Sequence, residues 1–433
     1  MNLTEDQILT LAPDEPSKKA GKELANPSKW VTKAKDEKAL WGECQGSGSK
    51  PYQTQIDVVN IAFKCSCPSR KFPCKHGLGL LLLYARQPQL FNAAAMPTWV
   101  SDWLAKRTER EEKKEEKAKQ PVDENAQAKR QESRHKKVQD GITDLLLWLK
   151  DILRNGILNM PAKPANYFES MAKRMVDAQS AGLANMLRNL GNTSFFQENW
   201  QTCFLDQLLQ LYMAAQAYGN IEALPQLLQQ DVKTLIGFTQ NQDELKEKEG
   251  INDVWLVLGK QTNEDEGLTT ERFWLYGHSS KQFALILNFL VRGQGTPLSI
   301  TPGQQIQAEL VFFPSSVPLR ALIKRQLAVT NPVSFSITGN WLIVAATETD
   351  FLQQLPFATE RPFVLEKIKP IFYNQQWWLQ DLDKKMVGIA NGFAGIYKLL
   401  ALSGGEALDM AVIGKEKIYL PLGIWQNGNY KLL

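Results

Sequence analysis

Histidine is nearly missing from this chain, with three in 433 residues, and cysteine is scarce at five. A histidine-based catalytic triad therefore has almost no raw material. No stretch reads G-x-x-x-x-G-K-[ST], so there is no P-loop to cradle a nucleotide's phosphates. Long apolar runs are lacking too. The longest, residues 78–85, falls well short of the about 20 residues a membrane-spanning helix needs. The first residues, Glu5 and Asp6 among them, lack the basic start and apolar core of an export signal, so a reducing cytoplasm is the expected setting. There, clustered cysteines serve metals or redox chemistry more often than disulfides.

The scarce residues are concentrated. Three of the five cysteines and one of the three histidines, Cys65, Cys67, Cys74 and His76, lie in the stretch FKCSCPSRKFPCKHGLGLLLLYAR. Residues two apart on a strand point to the same side, so Cys65 and Cys67 need only one residue between them. The loop that follows turns back, and Cys74 and His76 open a helix whose apolar residues, Leu78 and 80–83, can pack on the preceding hairpin. Three thiolates and an imidazole fill the four positions of tetrahedral zinc and leave none for water, which argues for one structural ion. Lys64, Arg70, Lys71 and Lys75 surround the set and favour thiolate over thiol. A redox relay fits less well, because C-x-C is not the helix-opening C-x-x-C and no βαβ pattern surrounds it. A nucleophilic cysteine paired with His76 fits less well too, since residues two apart in sequence are an unusual dyad.

The pattern C-x-C, six residues, C-x-H, with an aromatic-containing hairpin before it and GLGLLLLYA after it, resembles the SWIM-type zinc finger. The resemblance extends upstream through WGECQGSGSKPYQTQI and covers roughly residues 27–90. It implies a β-β-α metal-stabilised module with Cys65, Cys67, Cys74 and His76 as ligands. Modules of this family are thought to bind DNA or proteins, and they occur in chromatin-remodelling ATPases, transposases, ubiquitin ligases and many bacterial proteins. The family does not fix the partner.

With 43% hydrophobic and 22% charged residues, most of the chain should fold, and its length leaves room for two or three domains. The expected class is α+β multidomain: a small ββα zinc-finger module at 27–90, a charged linker at 104–138, a helical domain at 139–236 and a mainly β domain at 250–433. The linker, EREEKKEEKAKQPVDENAQAKRQESRHKK, has almost no large apolar residues and cannot build a core, though alternating charges allow a solvated helix. Beyond it Ile142, Leu145, Leu146, Leu149, Ile152 and Leu153 form one helical face. A second helix is expected to carry Phe168, Met171, Met175, Leu183, Met186 and Leu190, and a third to run over 200–218. After residue 250, runs such as DVWLVLGK, RFWLYG and KIYLPLGIW, separated by Gly, Pro and Asn, read as strands.

Other signals are weaker. LSGGE, residues 402–406, matches the signature loop of ABC-type ATPases but stands without a P-loop, and a Gly-Gly turn between helix and strand explains it better. Gly46-Ser47-Gly48 and Gly293-Gln294-Gly295 lack the third glycine of a dinucleotide fingerprint and read as turns. Cys203, near Trp200, Phe204 and Leu208, is expected to be a small buried side chain, and Cys44 a spare thiol outside the zinc pattern. His135 and His278 have no metal-ligand spacing with other donors. Trp377-Trp378 reads as core or sheet packing rather than an exposed patch.

Charge sharpens the partner question. Residues 17–90 hold thirteen Lys or Arg against five acids, while the whole chain is only +4. That local excess suits an acidic partner such as nucleic acid, with Lys64, Arg70, Lys71 and Lys75 as candidate contacts. The expected function is a non-catalytic zinc-binding protein whose finger mediates DNA or protein interaction. The alternative is an enzyme of unknown reaction in the C-terminal region, with the finger as its targeting module.

Overall fold

The computed structural model describes residues 4–46, 50–59, 62–69, 71–118, 124–164, 166–265, 268–291, 300–327, 333–358, 360–415 and 418–433. It carries both helices and sheets, in the order expected: a small zinc-finger region, a helical region, then a sheet-rich region.

Two helices, α1 (Glu5–Leu9) and α2 (Glu15–Leu24), open the chain, and Thr4 and Asp14 cap their N-termini through side-chain oxygens. The strands β1 (Trp30–Lys35), β2 (Ala39–Cys44), β3 (Tyr52–Asp57) and β4 (Ala62–Cys65) follow as an antiparallel meander, then α3 (Lys75–Arg86). A short β5 (Asn92–Ala93) adds a parallel edge beside β1. This is more than the two strands and a helix of the expected module. Its two faces are both covered: Ala39 and Trp41 meet Val100 at the start of α4 (Thr98–Ala118), while Leu40, Ile56 and Phe63 meet α3.

α3 is buried from His76 through Leu83, on every side. A helix apolar all round must lie between layers, and α3 does. α2 crosses it so closely that a Cβ on Gly79 would come 2.6 Å from Leu24 Cβ. The core around α3 also runs on without a break into residues of the sheet-rich region, among them Trp255, Phe273, Ile306 and Leu310. The region 27–90 therefore shares one interior with residues more than 160 positions downstream, because a four-stranded meander alone cannot cover both sides of so leucine-rich a helix.

The charged stretch is helical where it is described: α4, then α5 (Glu124–Asn155), which runs through residue 138 into the bundle. Arg134 stacks on Phe238 at 3.9 Å and donates to the carbonyls of Gly237 and Gln179, so α5 is already anchored there. α6 (Tyr167–Asp177), α7 (Ala181–Gly191), α8 (Trp200–Gly219) and α9 (Gln226–Ile236) pack with α5 around Ile142, Leu145, Met175, Leu187, Phe204, Leu211 and Ile236. The single second helix expected over 168–190 is in fact two. Gln179, in the left-handed region at φ 59°, ends α6, and Ser180 N–H donates to Met175 O. Cys203 corrects another expectation: it is exposed, because the buried stripe of α8 runs through Phe204, Leu208 and Leu211, and Cys203 sits just off it. Leu153, expected on the buried face of α5, is likewise exposed at the helix end.

After a short α10 (Gln242–Glu247), two sheets follow one plan. β6 (Ile251–Asp265), β7 (Leu268–Gly277) and β8 (Phe283–Val291) form a meander, and β9 (Gln305–Phe312) returns beside β6 with β10 (Ala321–Leu327) outside it. A parallel bridge from Leu285 to Arg320 brings β8 towards β10. α11 (Trp341–Gln354) leads into the second sheet. There β11 (Arg361–Tyr373), β12 (Gln376–Gln380) and β13 (Met386–Ile389) form the meander, α12 (Ile396–Ser403) intervenes, and β14 (Leu408–Lys415) returns beside β11 with β15 (Ile418–Gln426) outside it. β13 pairs in parallel with β15 through Gly388 and Ile389, which closes five strands into a barrel, and β16 (Asn429–Leu432) extends β15 as a hairpin. Inside lie Phe363, Leu365, Leu379, Ile389, Met410, Val412 and Ile424, with Leu399 of α12 and Trp341 of α11 closing in from outside the strands. The first sheet packs on the barrel's outer wall through Leu256, Trp274, Ala411, Ile413 and Leu422.

The LSGGE stretch is the C-terminus of α12 and its turn: Gly404 and Gly405 both have positive φ, and Glu406 leads towards β14. Gly293-Gln294-Gly295 lies outside the described residues, as do Ser47 and Gly48.

Candidate metal centre

Cys65 is the last residue of β4, facing Thr54 of β3 in register, and Cys67 follows just beyond the strand rather than on it. Cys74 is the N-cap of α3. Its side chain caps no backbone N–H, which leaves the sulfur free, while its carbonyl accepts from Leu78 N–H at 3.1 Å. His76 then falls in the first helical turn, 5% exposed. The loop between Cys67 and Cys74 thus delivers strand end and helix start to one point, where the N-terminal end of the helix dipole favours negative sulfur.

The three sulfurs and a ring nitrogen of His76 all lie within 4.8 Å of one another. His76 Nδ1 is 3.7 Å from Cys65 Sγ and 4.0 Å from Cys74 Sγ. Zinc–ligand distances of about 2.3 Å for sulfur and about 2.0 Å for nitrogen put tetrahedral S–N edges at about 3.5 Å, so small inward shifts would seat the ion. The acid–base chemistry of the cluster makes the same demand. Contacts with Cys65 and Cys74 hold the Cys67 thiol well below its ordinary value, and contacts with Cys65 and Cys67 push Cys74 far above it, because three sulfurs this close cannot all ionise unaided. Burial works to lower His76, but the sulfurs of Cys65 and Cys67 outweigh it and raise the imidazole to about 9. A dication at the centre removes that conflict. The four side chains are placed to hold one structural zinc ion.

Neighbours orient the ligands. Thr54, fully buried, brings its Oγ1 to 3.2 Å from Cys65 Sγ. The Tyr52 ring packs on the His76 imidazole with centroids 5.0 Å apart. Cys44 lies outside the ligand set, buried in the core, and burial pushes its thiol up.

Of the four cations expected to line the site, the three described, Lys64, Lys71 and Lys75, are not brought together. Lys64 sits between Phe63 and Cys65 on β4, so it points to the opposite face of the sheet from the ligands. Lys71 pairs with Asp14 at 2.6 Å, and that contact holds the Asp14 carboxyl down at about 2. Lys75 is exposed at the start of α3, and Arg70 lies outside the described residues. The remaining histidines are structural in their contacts: His135 Nδ1 lies 2.8 Å from the Tyr218 hydroxyl, and His278 Nε2 3.1 Å from Ser334 O. The pair Trp377-Trp378 splits, with Trp377 packed against the barrel core and Trp378 on the opposite face of β12.

Residues 58–85 match the family of the SWIM zinc finger, and residues 133–236 match the SWIM-associated four-helix bundle domain. The first match contains all four ligands, and the second spans α5 from near its anchor at Arg134 to the end of α9. No curated protein and no solved structure matches the chain. Among the described residues, no helix is long and apolar enough to cross a membrane.

Proposed function

We propose that this zinc-binding protein is a non-catalytic interaction protein, in which the finger region engages a macromolecular partner, DNA or protein. The observation that supports it is the closed donor set: Cys65, Cys67, Cys74 and His76 use all four zinc positions, so the ion stabilises a surface instead of activating water. Of the two partners, the placement of side chains favours protein. α3 is buried and cannot enter a groove, and Lys64 and Lys75 project from different elements. Exposed Val31 on β1 and Val59 in the turn after β3 add apolar area to the module.

The test is fluorescence anisotropy of labelled duplex DNA with the full-length, zinc-loaded chain. Because the finger shares its core with residues beyond 250, the whole protein is the right reagent. A finger that recognises protein leaves duplex binding weak and unchanged by Lys64→Ala with Lys75→Ala. Affinity that falls steeply between about 50 and 200 mM salt, with a slope flattened by those two substitutions, would establish the DNA reading instead.

A further inference from the structure

The barrel at residues 361–426 has a definite strand plan. Its first three strands form a meander, a helix sits between the third and fourth, the first pairs with the fourth, and the third pairs in parallel with the fifth. That is the Greek-key plan of the OB-type barrel, whose second and third strands present a surface to oligonucleotides or oligosaccharides. A fold does not name a ligand; the side chains on that surface must.

One side of the outer wall is covered, since Val364, Ala411, Ile413 and Leu422 pack on the neighbouring sheet. The other side, across the end of β11, β12 and β13, is where exposed apolar groups collect. In register, Ile371 faces Trp378, which in turn faces Gly388. Trp377 packs against the interior, so Trp378 stands on the outer face, opposite a glycine that puts no side chain beside the indole. Its Nε1 donates to Tyr373 O at 3.1 Å, which fixes the ring against the hairpin. At the tip Asn374 and Gln375, both with positive φ, make the tight two-residue turn, and Tyr373, two residues from Ile371 and so on Trp378's face, is left 62% exposed, while Phe372 turns to the other face and packs on Trp377 with ring centroids 4.9 Å apart. Lys369 lies on the same face of β11, two residues from Ile371, and Lys384 and Lys385 lie in the turn between β12 and β13. These three and Lys367 are exposed and make no ion pair among the described residues, against exposed Glu366 and Asp383.

Aromatic rings beside cations suit a strand of unpaired bases: each base has a π-face to stack, and each phosphate needs a positive partner. A duplex hides those faces. A neutral oligosaccharide would use the rings but not the lysines. We infer that this face of the barrel binds single-stranded nucleic acid, with Trp378 and Tyr373 as stacking platforms and Lys369, Lys384 and Lys385 at the phosphates. The inference stands independently of the finger's partner.

The experiment is anisotropy of labelled oligo-dT and oligo-U of about 20 nucleotides, longer than the site of one barrel, with the full-length zinc-loaded chain at low salt. Duplex DNA and a neutral oligosaccharide serve as competitors. The expected result is binding to the single strands, weakened roughly tenfold or more by Tyr373→Ala and by Trp378→Ala, each a lost stack, and restored towards wild type in Trp378→Phe. Lys369→Ala with Lys385→Ala should lower the salt slope by about 0.7 per lost contact, and Lys64→Ala with Lys75→Ala should change nothing. Thermal melting separates a stacking loss from unfolding; Tyr373→Ala, at an exposed position, keeps the test valid if Trp378→Ala unfolds. No binding to either oligomer, equal binding by wild type and a folded Tyr373→Ala, displacement of the single strand by duplex as readily as by unlabelled single strand, or displacement by the oligosaccharide would each overturn the proposal.

Discussion

Thr54 Oγ1 lies 3.2 Å from Cys65 Sγ, and both residues sit at the same register position of neighbouring strands. A hydroxyl there can donate to the Cys65 thiolate, which orients the sulfur and spreads its charge. Thr54→Val keeps the shape and deletes the donor. It should weaken zinc binding about 10- to 100-fold, the usual cost of losing an outer-shell partner, while Thr54→Ser should stay close to wild type. Competition with a chromophoric chelator measures both, and equal affinity in the valine variant would remove Thr54 from the site.

Metal content gives the next expectation. Purified protein should carry about one zinc per chain, lost in Cys65→Ser and Cys74→Ser and kept in Cys44→Ser and Cys203→Ser, because only the first two remove ligands. Since thiolates must stay deprotonated, zinc should also leave as pH falls. The ion contributes on the order of 10 kcal/mol to folding in small fingers. Here the loss should also loosen residues beyond 250, which share the α3 core. Elemental analysis and hydrogen exchange of the zinc-free protein check the two halves of the expectation.

The ligands were legible because zinc chemistry demands particular residue types close together, and Cys65 to His76 satisfies it within twelve positions. The bundle helices were legible where apolar spacing was regular, as at Ile142, Leu145 and Leu149. What escaped was whatever depends on distant partners. The end of α6 at Gln179 carries no Gly or Pro to announce it. Cys203 and Phe204 are adjacent, and only the packed neighbours of α8 decide which one is buried. The closure of the barrel rests on Gly388 and Ile389 meeting Ile418 and Tyr419, thirty positions away, and no local pattern encodes that. Lys64, Lys71 and Lys75 are near one another in sequence, yet strand alternation and the Asp14 pair set them apart.

Limited proteolysis tests where the two halves of the helical segment part. Residues 104–138 hold few large apolar side chains, so little surface holds them down. Arg134 and His135, however, are tied to Phe238 and Tyr218. Trypsin should therefore cut first between residues 110 and 130 and leave a C-terminal fragment that begins no later than residue 131. A first cut after Arg134 or Lys136, or anywhere in 142–235, would show that the anchor of α5 does not hold in solution.

Glycine substitutions test how tightly α3 is held. A Cβ on Gly79 would stand 2.6 Å from Leu24 Cβ and 3.1 Å from Leu24 C, so α2 must move away or the helix must shift. Both movements disturb a core that reaches Leu40, Phe63 and Trp255. Gly79→Ala should therefore lower stability by about 1–3 kcal/mol, the range for overpacking, even though alanine is the better helix former. Gly219 is the control. It ends α8 with nothing within 4 Å of a Cβ, so Gly219→Ala should be neutral or gain up to about 1 kcal/mol from helix propensity. Thermal melts of the two variants, with zinc content measured in each, separate the cases. If Gly79→Ala melts with wild type, then α2 does not press on α3 as described, and the shared core would have to be held by the strands alone.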